Sequence, residues 1–140
     1  MRIASWNVNS IKMRLDIVTS WLVAAHCDIL LIQETKSQDV NFPIHAFHEM
    51  GWHVAFHGQK SYNGVAIASR FPIEDVVMGL EGDTEDDQAR FMEATIKDFK
   101  VATIYLPNGN PAPGPKFDYK LSWMTRLEAR ALALLNDEKR

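Results

Sequence analysis

Two rhythms of apolar and polar positions divide the first third of the chain. Ile3 to Val8 mixes β-branched and aromatic residues in a short run, which predicts a strand. From Met13 the apolar positions shift to Leu15, Val18, Trp21/Leu22 and Ala25, one face of a helix. Asp28-Ile29-Leu30-Leu31-Ile32-Gln33 is then an apolar run too short for a helix, the pattern of a strand buried on both faces after a helical crossover. Residues 1–33 therefore predict a βαβ unit. Its two strands should run parallel and open their C-terminal ends on one edge of the sheet, with Asn7, Asn9 and Glu34 at those ends.

Pro43 to Met50 predicts a short helix ended by Gly51, and Trp52 to His57 has the composition of a strand. Gly64 to Ser69 is the next strand, reached through a turn rich in Gly, Ser and Asn, so the pair predicts an antiparallel hairpin. Ala89 to Ile96 and Phe99 to Leu106 flank Lys97-Asp98 as a second hairpin. The prolines at 107, 111, 113 and 115, with Gly109 and Gly114, preclude regular structure until a long helix starts at Asp118, its apolar positions being Leu121, Met124, Leu127, Ala131 and Leu135. The class is α/β, read as one mixed β-sheet with flanking helices. Such a layer leaves one sheet face uncovered, which fits either a complete small domain with a frayed end or half of a two-sheet protein. In the second case an apolar sheet face should be covered by a complementary half or by self-association, with Val18/Trp21/Leu22 and Leu121/Met124/Leu127 on the helices covering the other face.

Composition narrows the class. With 140 residues, 46% hydrophobic and 24% charged, the chain is globular and sized for one domain, which excludes disordered and collagen-like proteins. The net charge of −3 hides an asymmetry: residues 81–87 carry five acidic side chains and no basic ones, and removing those five leaves +2. Net acidity therefore does not exclude a nucleic-acid partner. Neither a membrane-length apolar run nor a secretory leader is present, so the expected location is cytoplasmic. A single Cys27 between helix and strand reads as a core thiol.

The carboxyl ends of strands in an α/β sheet are where ligands bind, and Glu34 stands at one of them. A lone Glu there is equally a solvated strand end. Asn7 and Asn9 on the neighbouring strand change the balance, because carboxamides at i and i+2 point to one side. A carboxylate with amide oxygens forms a hard donor set, suited to Mg²⁺ or Mn²⁺ and poorly matched to Zn²⁺. His53 and His57 share a strand face but have no cysteine or third ligand at metal spacing, so no zinc site is expected. Tyr105-Leu106-Pro107-Asn108-Gly109-Asn110 carries a phenol and two carboxamides in what is otherwise an ordinary turn. Arg90 fits a surface ion pair or a phosphate contact, and spacing does not choose between them.

Five segments occur in order: Ser5-Trp6-Asn7-Val8-Asn9-Ser10-Ile11; Leu31-Ile32-Gln33-Glu34-Thr35-Lys36; His57-Gly58-Gln59-Lys60 with Tyr62-Asn63-Gly64-Val65-Ala66; Gln88-Ala89-Arg90; and Tyr105-Leu106-Pro107-Asn108-Gly109. Together they resemble exonuclease III and the class II apurinic/apyrimidinic endonucleases of the endonuclease/exonuclease/phosphatase superfamily. The resemblance implies a four-layered α/β sandwich and a Mg²⁺- or Mn²⁺-dependent phosphodiesterase acting on damaged or abasic double-stranded DNA. It implies Glu34 as the metal-ligand carboxylate, with Asn7 and Asn9 close to the metal. Tyr105 matches the phenol that contacts the scissile phosphate or positions the nucleophile, and Lys36 a cation beside the metal or phosphate. Lys12, Tyr62, Arg90 and Asn108 match contacts to the DNA backbone.

Members of that family continue past the long helix into a strand bearing Gly-Asp-x-Asn, a later Asp and a Ser-Asp-His segment, none of which occurs here. The expectation is that residues 1–140 are the N-terminal half of a single nuclease domain. Such a half lacks the groups that activate water, so the chain alone should be inactive. Two other classes stay open at this stage: a superfamily phosphodiesterase acting on RNA ends, inositol phosphates or phospholipid heads, and a noncatalytic binding module.

Overall fold

The computed structural model describes residues 1–137. Strand β1 (Ile3–Asn7), helix α1 (Ile11–Ala24) and strand β2 (Ile29–Gln33) form the predicted βαβ unit, with β1 and β2 parallel and Asn7 opposite Gln33. Ser10 caps α1, its hydroxyl accepting from the Met13 amide at 3.3 Å, which satisfies a donor that the helix itself leaves open. Helix α2 (Ile44–Glu49) ends where Gly51 takes a φ of +79°, and strands β3 (His53–His57) and β4 (Val65–Ser69) form the predicted antiparallel hairpin. The sheet order is β1-β2-β4-β3.

The α/β class holds, and the strands divide between two sheets where one was expected. A second sheet, ordered β5-β6-β7, is built from β5 (Glu74–Met78), β6 (Phe91–Ile96) and β7 (Phe99–Ile104), and helix α3 (Pro115–Leu135) follows. Strand β4 shows how the layers stack, since it is buried at every position. Ala66 and Ala68 join Val18, Leu22, Leu30, Ile32 and Phe47 in a core beneath α1 and α2. Val65 and Ile67, with Ile29, meet Met92, Ala94, Ile96 and Val101 of the second sheet. Helix α3 lies on the far face of that sheet, where Trp123 is buried and Arg130 pairs with Glu93 of β6, whose side chain is 3% exposed. The order is thus helix, sheet, sheet, helix within this one chain.

Two expectations change with it. The apolar sheet face thought to lie uncovered is covered over β2 and β4, where Ile29, Val65 and Ile67 pack against Met92, Ala94 and Ile96 of the second sheet, while Ile3 and Ser5 of β1, on the same face, are exposed. The apolar stripe expected to seat α3 is turned outward: Leu121, Met124 and Leu135 are exposed, Leu127 is half-buried, and the inward side instead carries Tyr119, Trp123, Arg126 and Arg130. Cys27 is fully buried as expected, and burial pushes its thiol up from the ordinary value. Among the described residues no helix is long and apolar enough to cross a membrane.

Candidate active site

The parallel pairing of β1 and β2 brings the chain segments after Asn7 and Gln33 side by side, and both leave the sheet through left-handed backbone. The φ values are +47° at Asn9, +91° at Ser10, +55° at Glu34 and +51° at Lys36. An L-residue there costs roughly 1–2 kcal/mol, so such a cluster persists only where its surroundings over-determine it. They do: Ser10 N donates to Glu34 O at 2.8 Å and Ile11 N to Thr35 O at 3.0 Å, while Thr35 N donates to Gly64 O at 3.1 Å and Lys36 N to Asn63 O at 2.9 Å. The run continues from Gly64 N to Ala89 O at 2.9 Å, and Tyr105 N donates to Arg90 O at 2.8 Å. Gly64 is required at its place, because its φ is +96° and a Cβ would stand 2.0 Å from Thr35 Oγ1.

A buried polar link between the sheets sets the third side of the site. Gln33 Nε2 donates to Ser5 Oγ at 3.0 Å and to Thr103 Oγ1 at 3.1 Å, and Thr103 Oγ1 donates to Ile32 O at 2.8 Å. With β7 fixed against β2, the Tyr105 hydroxyl donates to Glu34 Oε1. Burial first, and then this bond and the charge of Glu34, push the Tyr105 phenol up from the ordinary 10.0, against the opposing pull of Arg90. Tyr105 is therefore a protonated donor near neutral pH.

Arg90 is fixed on three sides. Its Nε donates to Gln88 Oε1 at 2.7 Å, its Nη1 donates to Tyr105 O at 3.3 Å, and its guanidinium carbon lies 4.8 Å from the Tyr105 ring centroid. It lines a cavity of about 420 Å³ together with Gln88, Asn108, Asn110, Lys116 and Tyr119. An anion with a flat or tetrahedral oxygen face suits that wall, since Arg90 offers preset donors and Lys116 a second positive charge.

Residues 4–140 match the profile of the Endonuclease/Exonuclease/phosphatase family. The chain belongs to this family. A Bacillus subtilis exodeoxyribonuclease is 31% identical over all of this chain and 55% of its own length. An AP endonuclease from Archaeoglobus fulgidus superposes with a TM-score of 0.86 at 45% identity, over 91% of this chain and 49% of that one. A Neisseria 3′ phosphatase bound to product DNA hairpin gives 0.88 at 43% identity, over 91% of this chain and 49% of that one. The chain thus spans about half the length of these family members.

Within this family fold, Asn7, Asn9, Glu34 and Lys36 gather at the paired ends of β1 and β2, joined by Tyr105 from the end of β7, while Arg90 and Asn108 share the neighbouring cavity. Asn7 Oδ1 accepts from Asn9 N at 3.2 Å. Asn9 is engaged by a cation of the chain itself, its Oδ1 accepting from Lys36 Nζ at 2.6 Å, whereas Asn7 Oδ1 and Glu34 Oε1 accept only from neutral donors, Asn9 N and the Tyr105 hydroxyl. Among the described residues no three His, Cys, Asp or Glu side chains gather as a metal cage. Lys12 and Tyr62 are exposed and stand outside this hydrogen-bonded group. Sequence reasoning missed Asp86, Lys116 and Tyr119, and quoted Gln88 without giving it a role. The i, i+2 spacing of Gln88 and Arg90 was the available signal, whereas Asp86 is hidden in an acidic run whose composition reads as solvated surface.

Proposed function

We propose that the whole protein is a Mg²⁺- or Mn²⁺-dependent DNA-repair phosphodiesterase, an apurinic/apyrimidinic endonuclease and 3′–5′ exodeoxyribonuclease working on damaged or abasic duplex DNA in the cytoplasm. Residues 1–140 are read as the N-terminal half of its nuclease domain. The observation that carries this reading is the convergence of Glu34, Tyr105 and Arg90 at the strand ends, a carboxylate, a protonated phenol and a fixed guanidinium within one hydrogen-bonded group. The chain's matched relatives include an AP endonuclease and a phosphatase bound to a DNA hairpin, which supports DNA over inositol or lipid phosphates.

Glu34, with Asn7 beside it, would hold the cation. The cation supplies charge neutralisation at a phosphoryl oxygen or at the leaving 3′ oxygen. Arg90 binds the phosphate with donors that need no reorganisation, and Tyr105 holds its proton against Glu34 until a phosphoryl oxygen competes for it. Lys36, Lys12, Tyr62 and Asn108 serve the backbone on either side. No base is among these groups: Tyr105 keeps its proton, lysine and arginine side chains are donors only, and Glu34 is assigned to the cation. The chain alone is therefore expected to bind without cleaving. A nicking assay on a duplex with one abasic site, alongside a salt titration of binding, tests this. The expected result is weak binding, a Kd of about 10⁻⁴ to 10⁻⁵ M that weakens steeply with salt, and no nicking with Mg²⁺. Tight, salt-insensitive binding to undamaged duplex, or equal binding to an inositol phosphate, would overturn the assignment, and nicking by the chain alone would overturn the half-domain reading.

A further inference from the structure

Residues 81–87 form an acidic run that the site does not absorb, and Asp86 behaves differently from its neighbours. Glu81, Asp83, Glu85 and Asp87 are exposed, whereas the Asp86 side chain is 7% exposed and the Arg126 side chain that meets it is 9% exposed. Arg126 Nη2 donates to Asp86 Oδ2 at 2.7 Å. Tyr119 OH lies 2.9 Å from Oδ2 and 3.0 Å from Oδ1, and the Gln88 amide donates to Oδ1 at 3.0 Å. An ion pair made only for stability needs Arg126 alone. Here the other two partners both lead to one destination. Gln88, whose backbone Asp86 pins, accepts from Arg90 Nε at 2.7 Å, and the ring of Tyr119, whose hydroxyl Asp86 holds, lies 5.9 Å beneath the Arg90 guanidinium.

We propose that Asp86 is a positioning residue for Arg90, fixing its guanidinium toward the cavity through Gln88 on one arm and Tyr119 on the other. The inference rests on the reading of Arg90 as a phosphate contact and adds the residues that aim it. An arginine side chain holds about 2 kcal/mol of rotamer entropy. Restricting Nε and one ring face before ligand arrives removes most of that loss from the binding step. The two remaining edges of the guanidinium are left for oxygen acceptors: among the described residues Nη2 has no hydrogen-bond partner, and Nη1 uses only the Tyr105 carbonyl.

The test uses the full 140-residue chain labelled with ¹⁵N. The Arg90 Nε–H resonance, assigned by its loss in Arg90→Ala, should be dispersed and protected in the unaltered protein. It should collapse toward the free-arginine position in Gln88→Ala and in Asp86→Asn, shift partway in Tyr119→Phe, and return in Gln88→Glu, which restores an acceptor. Gln88→Ala and Tyr119→Phe keep the Asp86–Arg126 pair, so they decide the matter even where Asp86→Asn fails to fold. The second readout is binding to a duplex oligonucleotide with one abasic site. Asp86→Asn should weaken it about three- to tenfold with Arg90 present, the size of one ordinary hydrogen bond, and less than about twofold in an Arg90→Ala background. An unmoved Arg90 resonance in Gln88→Ala and Asp86→Asn, or equal weakening with and without Arg90, overturns the proposal. If the unaltered chain does not bind the duplex at all, the function proposed above fails, and the resonance still decides whether Asp86 positions Arg90.

Discussion

Gly64→Ala separates two costs that usually arrive together. Its φ of +96° costs an alanine roughly 1–2 kcal/mol, and the new Cβ, 2.0 Å from Thr35 Oγ1, cannot be accepted unless the 34–36 segment moves, adding about 1–3 kcal/mol of overpacking. The expected loss of folding stability is thus about 2–5 kcal/mol. Gly51→Ala is the control, because Gly51 has a similar φ of +79° but nothing within 4 Å of the added carbon, so only the conformational cost of about 1–2 kcal/mol applies. Urea unfolding of the chain, followed by tryptophan fluorescence, should place the Gly64→Ala midpoint clearly below that of Gly51→Ala at unchanged m-value. Thr35→Ala introduced beside Gly64→Ala removes the hydroxyl and leaves Thr35 Cβ and Lys36 N at 3.3 Å as the nearest atoms, so part of the loss should return. Equal losses at the two glycines, or no recovery in the double variant, would refute the argument that close approach of the 63–64 turn holds Glu34 in place.

Arg130→Ala strands the carboxylate of Glu93, whose side chain is 3% exposed, and should cost about 3–5 kcal/mol by urea unfolding, whereas replacing both Glu93 and Arg130 with leucine should recover most of it. Burial first, and then Asp86, push the Tyr119 phenol up to about 12 from 10.0, so the unfolded chain releases that proton before the folded one; the contribution is complete below pH 10, is lost as pH climbs toward 12, and should vanish from the pH profile of the urea midpoint in Tyr119→Phe. Burial pushes the Asp86 carboxyl up, but the Arg126, Gln88 and Tyr119 hydrogen bonds outweigh it and hold it below 3.8, so its contribution is present above that pH and lost as pH falls further; Asp86→Asn should lose stability near neutrality and show less acid sensitivity. Glu34→Gln should leave the urea midpoint within about 1 kcal/mol of the unaltered chain, since the residue is half-buried at a strand end, yet abolish Mn²⁺-induced paramagnetic broadening of the amides at residues 7 and 34–36. Unchanged broadening would remove Glu34 from the metal.

Much of the first sheet was legible because its pattern is simple. A helical face at Val18 and Leu22 followed by the apolar run of β2 can fold as little else than a crossover onto a parallel strand. Strand β5 was not legible, since Glu74, Asp75, Val76, Val77 and Met78 are all exposed and an edge strand with no buried face has no alternation to read. The seat of α3 was misread for a different reason. Its inward side carries Tyr119, Arg126 and Arg130, made tolerable by Asp86 and Glu93 on the opposite surface, and hydropathy registers such residues as solvated. At the site, the strand-end position pointed to Glu34, and the resemblance chose the roles of Tyr105 and Arg90 that spacing left open, but the turning of Asn9 to Lys36 depends on left-handed backbone at both residues, for which neither an asparagine nor a lysine is a sufficient signal.

Loops at strand ends are ordinarily the first parts of a domain to open. The bonds from Ile11 to Thr35, from Thr35 to Gly64 and from Gly64 to Ala89 give this edge a different character, because segments far apart in sequence are closed into one transverse ladder. Amide hydrogens of Ile11, Thr35 and Gly64 should then exchange with solvent on the slow timescale of core strands. The entropy of arranging the site is spent during folding. If the proposed phosphodiester binds there, it meets a surface already arranged, so its association should follow a single exponential phase whose rate rises linearly with concentration, without the saturation that a slow rearrangement would impose.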